Sequence, residues 1–353
     1  MDAVWCLPPL VGNEGSWGFG LPCRVRDGAV SGKGGWMRQA SVLDVGCHSA
    51  FLTVVRWRPG AELEPVFSHK VRLRLHEALD WQGRLGRAGV KSVQRAVAEA
   101  IGADPRLRPR EVFAFATSVI RDAPNRDDVI ARVALSTGTW LRVLPGEEEA
   151  RLAYVAARRW AGCAGGPLLM LDIGGGTVEI AAGTGDQPRV VRSLPLGART
   201  ITRNWLPGGT VTSTRSLAEV RQHLRRSLSQ VPDVPQAERG ERVLGCSKTF
   251  QQLARLTNAQ RDKPRRRPRR LTLPELRAVI PLLAGVGPEC RAALAGISRH
   301  RAEQSLAGAL VAESLMEASG VERVEICPWS TREGLLLEHL GVIDSPVHHR
   351  RAS

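Results

Sequence analysis

No apolar stretch approaches the roughly 20 residues that a membrane span needs, which excludes a membrane-embedded helix. The first forty residues hold Trp5, Trp17, Trp36 and several glycines, without the charged, apolar and cleavage regions of a secretory signal. There is no CxxC pair. Seven cysteines (Cys6, Cys23, Cys47, Cys163, Cys246, Cys290, Cys327) are scattered and odd in number. That argues against a disulfide framework or a zinc site and fits a reducing cytoplasm. Lysine is scarce, with only Lys33, Lys70, Lys91, Lys248 and Lys263, so arginine supplies nearly all of the net charge of +15. The skew fits a GC-rich genome as well as a function. A basic surface attracts polyanions and speeds their arrival. No recognised DNA or RNA module appears, so no specific nucleic-acid partner is expected. An inorganic or nucleotide polyphosphate is the other candidate.

What is present is one loop made twice. The first copy is SVLDVGCHSAFLTVV (Ser41 to Val55), and LLMLDIGGGTVEIAAG (Leu168 to Gly183) follows 128 positions later, counted from Asp44 to Asp172. Each is an apolar run ending in aspartate, a glycine-centred turn and a second apolar or alternating run: a strand, a tight loop and an antiparallel strand. Glycine lets successive N–H groups converge into a nest that binds an anion, typically a phosphate. At 353 residues, with 43% apolar and 24% charged residues, the chain is long enough for two globular domains. Helical spacing of Val90, Val93, Val97 and Ile101 predicts a helix over 89–101. EVFAFATS (111–118) reads as a buried strand, RDAPN (121–125) as a turn, and EEEARLAYVAARRW as a helix with acids in its first turn. RVLGCSKTFQQLARL (242–256) reads as strand, glycine and helix. An amphipathic helix is expected over 302–319 with Gly320 as its stop, then a strand over 324–327 and a last helix from Arg332. RDKPRRRPRR (261–270) reads as a mobile, solvated loop. The pattern predicts a duplicated α/β fold of two lobes flanking a phosphate-binding cleft. The expected divisions are an N-terminal lobe over 41–152 and a C-terminal lobe over 153–331, with the helix over 332–343 packing back on the first. Residues 1–40 are expected to be a disordered extension or a start assigned too early, and 344–353 a disordered tail.

The strings FATSVIRDAPN, PGEEEARLAYVAARRW, LDIGGGTVEI, SLPLGARTITRNWL, GCSKTFQQLARL and RAEQSLAGALVAESLMEASGVERVEICPWSTREGLLL together resemble the Ppx/GppA phosphatase family. They are colinear and span nearly everything from Val42 to Leu340. The likeness is to short, two-domain actinobacterial exopolyphosphatases of the actin-like (ribonuclease H-like) superfamily, without the extra helical domain of longer relatives. It implies hydrolysis of the terminal phosphoanhydride of inorganic polyphosphate, with Mg²⁺ or Mn²⁺ and a water nucleophile. Another branch removes the 5′ γ-phosphate of pppGpp. The resemblance alone suggests a homodimer.

The same resemblance assigns roles. Asp172 and Glu179 match metal-holding carboxylates; a lone turn-capping aspartate is the plainer reading of Asp172. Gly174, Gly175, Gly176 and Thr177 form the phosphate turn between them. Glu149 matches the water-activating base, with Glu148 as its neighbour, although an ordinary acidic helical turn would look the same. Arg121 matches an arginine that clamps the phosphoryl group, and Ser118 shares its turn. In the first loop Asp44, Gly46 and Ser49 match the family's DIGSNS or DIGTNS. Cys47 and His48 depart from it and stand in place of a hydroxyl and an asparagine. Cys47 reads as a small residue accepted by the loop; His48, if protonated, would add charge beside a phosphate. Gly245, Ser247 and Lys248 are expected to border the phosphate channel, with helix capping by Ser247 an equal reading. The unusual loop leaves a catalytically weak polyphosphate or nucleotide sensor as an alternative to either hydrolase.

Overall fold

A computed structural model describes residues 37–342, apart from residues 60, 62, 163–165, 239, 262 and 264–268. Residues 1–36 of the expected N-terminal extension, the C-terminal tail and most of the arginine-rich loop lie outside the described residues; Arg38, Gln39 and Ala40, expected in that extension, instead open the first strand, where they pair with Trp57, Arg56 and Val55. The first lobe runs β1 (Arg38–Val45), β2 (Ser49–Trp57), β3 (Glu64–Arg72), α1 (Arg87–Gly102), β4 (Phe113–Ala116), α2 (Ser118–Arg121), α3 (Arg126–Thr137) and β5 (Arg142–Val143). α4 (Gly146–Ala161) leads into the second: β6 (Leu168–Ile173), β7 (Val178–Gly183), β8 (Val190–Leu194), α5 (Ala198–Trp205), α6 (Thr214–Ser229), β9 (Arg242–Gly245), α7 (Ser247–Ala259) and β10 (Arg270–Thr272). It closes with α8 (Leu273–Ala284), α9 (Pro288–Arg291), α10 (Ser305–Ala318), β11 (Arg323–Ile326) and α11 (Thr331–His339).

The two sheets have one topology. The first is ordered β3-β2-β1-β4-β5, and the second repeats that order as β8-β7-β6-β9-β11 with β10 added at its edge. In each, the glycine loop joins the central strand to an antiparallel neighbour, and the next strand pairs parallel to the central one. The chain is therefore a duplicated, ribonuclease H-like α/β fold. Central strands covered on both faces read as continuous apolar runs, as SVLDV and LLMLDI do. Leu43 and Val45 of β1 pack with α1 and α3, while Ala40 and Val42 pack with Leu335 and Leu336 of α11 and with Leu340 just after it. Leu168 and Met170 of β6 pack with Ala153–Ala157 of α4, while Leu169, Leu171 and Ile173 pack with α5, α7 and α10. α4 and α11 thus form one shared layer between the sheets. α4 runs unbroken through residues 152 and 153, sending Leu152 to one cluster and Ala153 to the other.

Three sequence readings shift. Only Phe113–Ala116 of the EVFAFATS run is strand; Ser118 opens a helical turn that Arg121 ends. The strand near the C terminus is Arg323–Ile326, and Cys327 follows it. The helix expected over 302–319 is α10, shorter and not amphipathic. Every residue from Ser305 to Met316 is buried, because helices and the sheet pack around it, and its small residues permit close approach. Gly320 does follow its end, in the left-handed conformation at φ +63°. Among the described residues no helix is long and apolar enough to cross a membrane.

α4 and α11 meet closely at Gly334, where a Cβ would lie 2.2 Å from the Leu152 carbonyl oxygen. Gly334→Ala should destabilise the fold by about 1–3 kcal/mol in urea unfolding. Gly102→Ala, at a helix end with nothing near, should be neutral or stabilise by up to about 1 kcal/mol.

Candidate active site

Both glycine turns open into one cleft of about 250 Å³ between the lobes. In the second turn, Gly174 N–H donates to the Thr177 carbonyl at 2.9 Å. The first turn of α5 takes up the other side of this loop. Gly197, Ala198, Arg199 and Thr200 N–H groups donate to the carbonyls of Gly174, Gly175 and Gly176 at 2.9–3.2 Å. Since a trans peptide points C=O and N–H oppositely, the N–H groups following those carbonyls turn toward the cleft that Gly175 and Thr177 line. Gly197 is required here: a Cβ would lie 2.4 Å from the Gly176 carbonyl carbon. That contact explains the SLPLGA string. Across the gap, a Cβ on Gly176 would meet Ser118 Oγ at 2.6 Å, so the two lobes nearly touch at this turn.

Asp172 and Glu179 are direct cross-strand partners on β6 and β7, both buried. Like charges directly opposed on a sheet are destabilising, so the pair needs compensation. Ser330 Oγ donates to Asp172 Oδ2 at 2.5 Å and Ser193 Oγ to Glu179 Oε1 at 3.2 Å. Ser247 also hydrogen-bonds Asp172. It holds φ +73° and does not cap α7, whose N-cap is Cys246; its hydroxyl is spent on the aspartate. Glu149, in the first turn of α4, reaches the same cleft and accepts from Arg121 Nη1 at 2.6 Å.

Burial raises the pKa of every one of these carboxyls. Asp44 and Asp172 are pushed up to about 6 and Glu179 to about 8, in the last case with help from the Asp172 charge. Glu149 is raised well above the ordinary value by burial and then by Glu179. Opposing cations come from several elements. Lys248, from α7, is drawn down to about 8 by burial and Arg332. Arg301, half-buried, and Arg332, stacked 4.4 Å over the Phe51 ring, also line the cleft. The opposed Asp172 and Glu179 carboxyls offer only oxygen, the donor type that suits a hard divalent cation, and such an ion would relieve their mutual repulsion.

Of the sequence candidates, Asp44, Gly46, Cys47, His48, Ser49, Ser118, Glu149, Asp172, Gly174, Gly175, Thr177, Glu179, Ser247 and Lys248 line the cleft together. Four do not. Arg121 donates through Nη1 to Glu149 and through Nε to Asp122. Glu148, a third of a turn away on α4, pairs with Arg151. Gly176 lies behind Ser118, and Gly245 is held against the Phe250 ring, where a Cβ would come within 2.9 Å. His48 is kept neutral, its pKa lowered to about 2 by burial and Arg301, so it adds no charge beside a phosphate. Arg301, Ser330, Arg332 and Glu333 were missed. The Ser330–Glu333 capping box at the start of α11 is a sequence signal for Ser330 and Glu333; Arg301 has none.

Two mirrored sheets with an anion nest, a carboxylate cluster and convergent cations define a protein that handles phosphoryl groups. Residues 53–342 match the Ppx/GppA phosphatase family, and the chain belongs to that family. It is 42% identical to "Exopolyphosphatase 1" of Mycobacterium tuberculosis over 85% of this chain and 87% of that protein. It is 26% identical to "Guanosine-5'-triphosphate,3'-diphosphate pyrophosphatase" of Aeromonas hydrophila, over 85% of this chain and 59% of that protein. The crystal structure of the Aquifex aeolicus family member shares the fold, with a TM-score of 0.71 at 22% identity, covering 88% of this chain and 99% of that one.

The raised carboxyl pKa values carry a sign. The folded protein keeps protons that the unfolded chain releases near pH 4, so metal-free stability should fall as pH rises toward about 8. A cation displaces those protons. Mg²⁺ should therefore raise the melting temperature more at pH 8 than at pH 5.5, and Asp172→Asn should abolish the difference in a thermal-shift measurement.

Proposed function

We propose that this chain is an exopolyphosphatase, a phosphoanhydride hydrolase releasing orthophosphate from the end of inorganic polyphosphate. The observation that carries this reading is Glu149. It is a buried glutamate of raised pKa, sharing with Asp172 and Glu179 a cleft edged by both glycine turns. Its support from relatives is the 42% identity to a protein named for this activity.

Mg²⁺ or Mn²⁺ fits the Asp172–Glu179 pair, where it would neutralise charge on the terminal phosphoryl oxygens. The chain's own groups do the rest. N–H groups of the 174–177 turn, with Arg301 and Lys248, bind the anionic chain end. Glu149 takes a proton from water as the water oxygen bonds to the terminal phosphorus. The bridging P–O bond breaks, and its electron pair leaves on the shortened chain. Arg121 is a positioning residue that fixes Glu149 and favours its ionised form. The same chemistry would remove the 5′ phosphate of pppGpp, a second reading favoured by the Aeromonas relative. The Cys47–His48 turn favours a slow or sensory version of either. We also assign the chain to a reducing cytoplasm, on its scattered cysteines, and to a homodimer, on the family resemblance.

Glu149→Gln should lower kcat on polyphosphate by about 10²–10⁴ with little change in KM. Glu148→Gln, whose carboxylate pairs with Arg151, should retain most activity. Malachite green detection of phosphate from polyphosphate and from pppGpp reads both. Release from pppGpp alone would overturn the substrate, and tight binding without release would overturn the enzyme.

A further inference from the structure

The first glycine turn carries groups that phosphate binding does not need. Cys47 is buried, and its Sγ lies 3.3 Å from Nδ1 of His76. His76 sits in a 3-10 turn (Leu75–Ala78) that is tied to the loop by Leu75 N–H donating to the Cys47 carbonyl at 3.1 Å. His48, next in the loop, has its ring centroid 5.4 Å from that of His76. One ligand atom from each of Cys47, His48 and His76 lies within 4.8 Å of the other two. In a tetrahedral zinc site, ligand atoms stand about 3.4–3.6 Å apart, from Zn–S near 2.3 Å and Zn–N near 2.0–2.1 Å. Small side-chain adjustments bring these three to that spacing.

The surroundings also match. A ligating histidine gives its second nitrogen to a carboxylate or amide that fixes its orientation. Nε2 of His76 faces the Glu77 carboxylate at 3.9 Å. Nε2 of His48 meets the Gln304 amide at 3.2 Å, and Gln304 Oε1 is buried without a partner. Turning that amide over would let Oε1 accept the His48 Nε2–H and leave Nδ1 with a lone pair. Gln304 precedes α10 of the second lobe, so this contact joins the lobes. Arg199 and Arg301 act on both Cys47 and His48; a dication here needs the thiolate to offset them.

We propose that Cys47, His48 and His76 form a second cation site, for a zinc-type metal, with Glu77 and Gln304 orienting the two imidazoles. Thiolate and imidazole select Zn²⁺ over Mg²⁺, which separates this site from the all-oxygen cluster at Asp172 and Glu179. Three protein ligands leave a fourth position for water or a phosphoryl oxygen. Cys47 and His48 line the same cleft as Glu149, so occupancy would act on the first phosphate turn directly. Nothing in the linear spacing of residues 47, 48 and 76 signals this; the β2–β3 hairpin brings them together.

The test uses the full chain with excess Mg²⁺, no substrate, and Co²⁺ as the optical probe. It does not depend on the exopolyphosphatase reading. A thiolate-to-cobalt charge-transfer band should appear, vanish on adding Zn²⁺, be absent in Cys47→Ser and persist in Cys290→Ser. Zn²⁺ affinity, read by competition with a chromogenic chelator, should fall by about 100-fold in His76→Gln and about 10-fold in Glu77→Gln or Gln304→Leu. A band that survives in Cys47→Ser, or equal Zn²⁺ affinity in wild type and His76→Gln, would overturn the proposal.

Discussion

The constraint on which the rest depends is the gathering of like charge at a protein interior. β6 and β7 set Asp172 directly opposite Glu179, and α4 brings Glu149 toward both. An isolated buried carboxylate costs several kcal/mol, and here the chain concentrates several. It offsets part of the cost locally, with hydroxyls from Ser193, Ser247 and Ser330 and a guanidinium from Arg121. The remainder appears as raised pKa values. Such tension is the ordinary mark of a functional site rather than one arranged for stability.

Holding that cluster requires two sheets in fixed relation. The α4–α11 layer supplies it, because each helix packs on sheet residues and on its partner. The Gly334–Leu152 approach and the Arg151–Glu338 ion pair fasten the two helices. Glu149 lies in the first turn of α4, where the helix dipole favours an acid, while Ser330 caps α11 and grips Asp172. The edge of the cleft that carries Glu149 and Ser330 is therefore made by the ends of the elements that join the lobes. A shift of either helix would change the distance between Glu149 and the Asp172–Glu179 pair.

Much of this was legible in the sequence where the signal was local. Both strand–glycine–strand loops, α1, α4 and the strand before α7 follow from apolar runs, glycine and acid placement. The less legible parts depend on tertiary partners. β3 is an exposed edge strand in which Phe67 and Val71, separated by His69, are the residues of EPVFSHKVR that reach the core. α10 is buried on all sides, so its pattern could not reveal its packing. Glu148 and Glu149 are neighbours in sequence and differ only by their angle on α4, which decides which one meets Arg121 and which Arg151. Arg301 follows a loop of the second lobe and is one arginine among many until the fold sets it beside Cys47.

The most direct test of the central claim is an anomalous difference map from a crystal soaked with Mn²⁺ and phosphate. The account predicts a strong peak within about 2.0–2.6 Å of carboxylate oxygens from Asp172 or Glu179, with phosphate against the 174–177 turn. No peak at that pair, or those carboxylates turned out of the cleft, would contradict it.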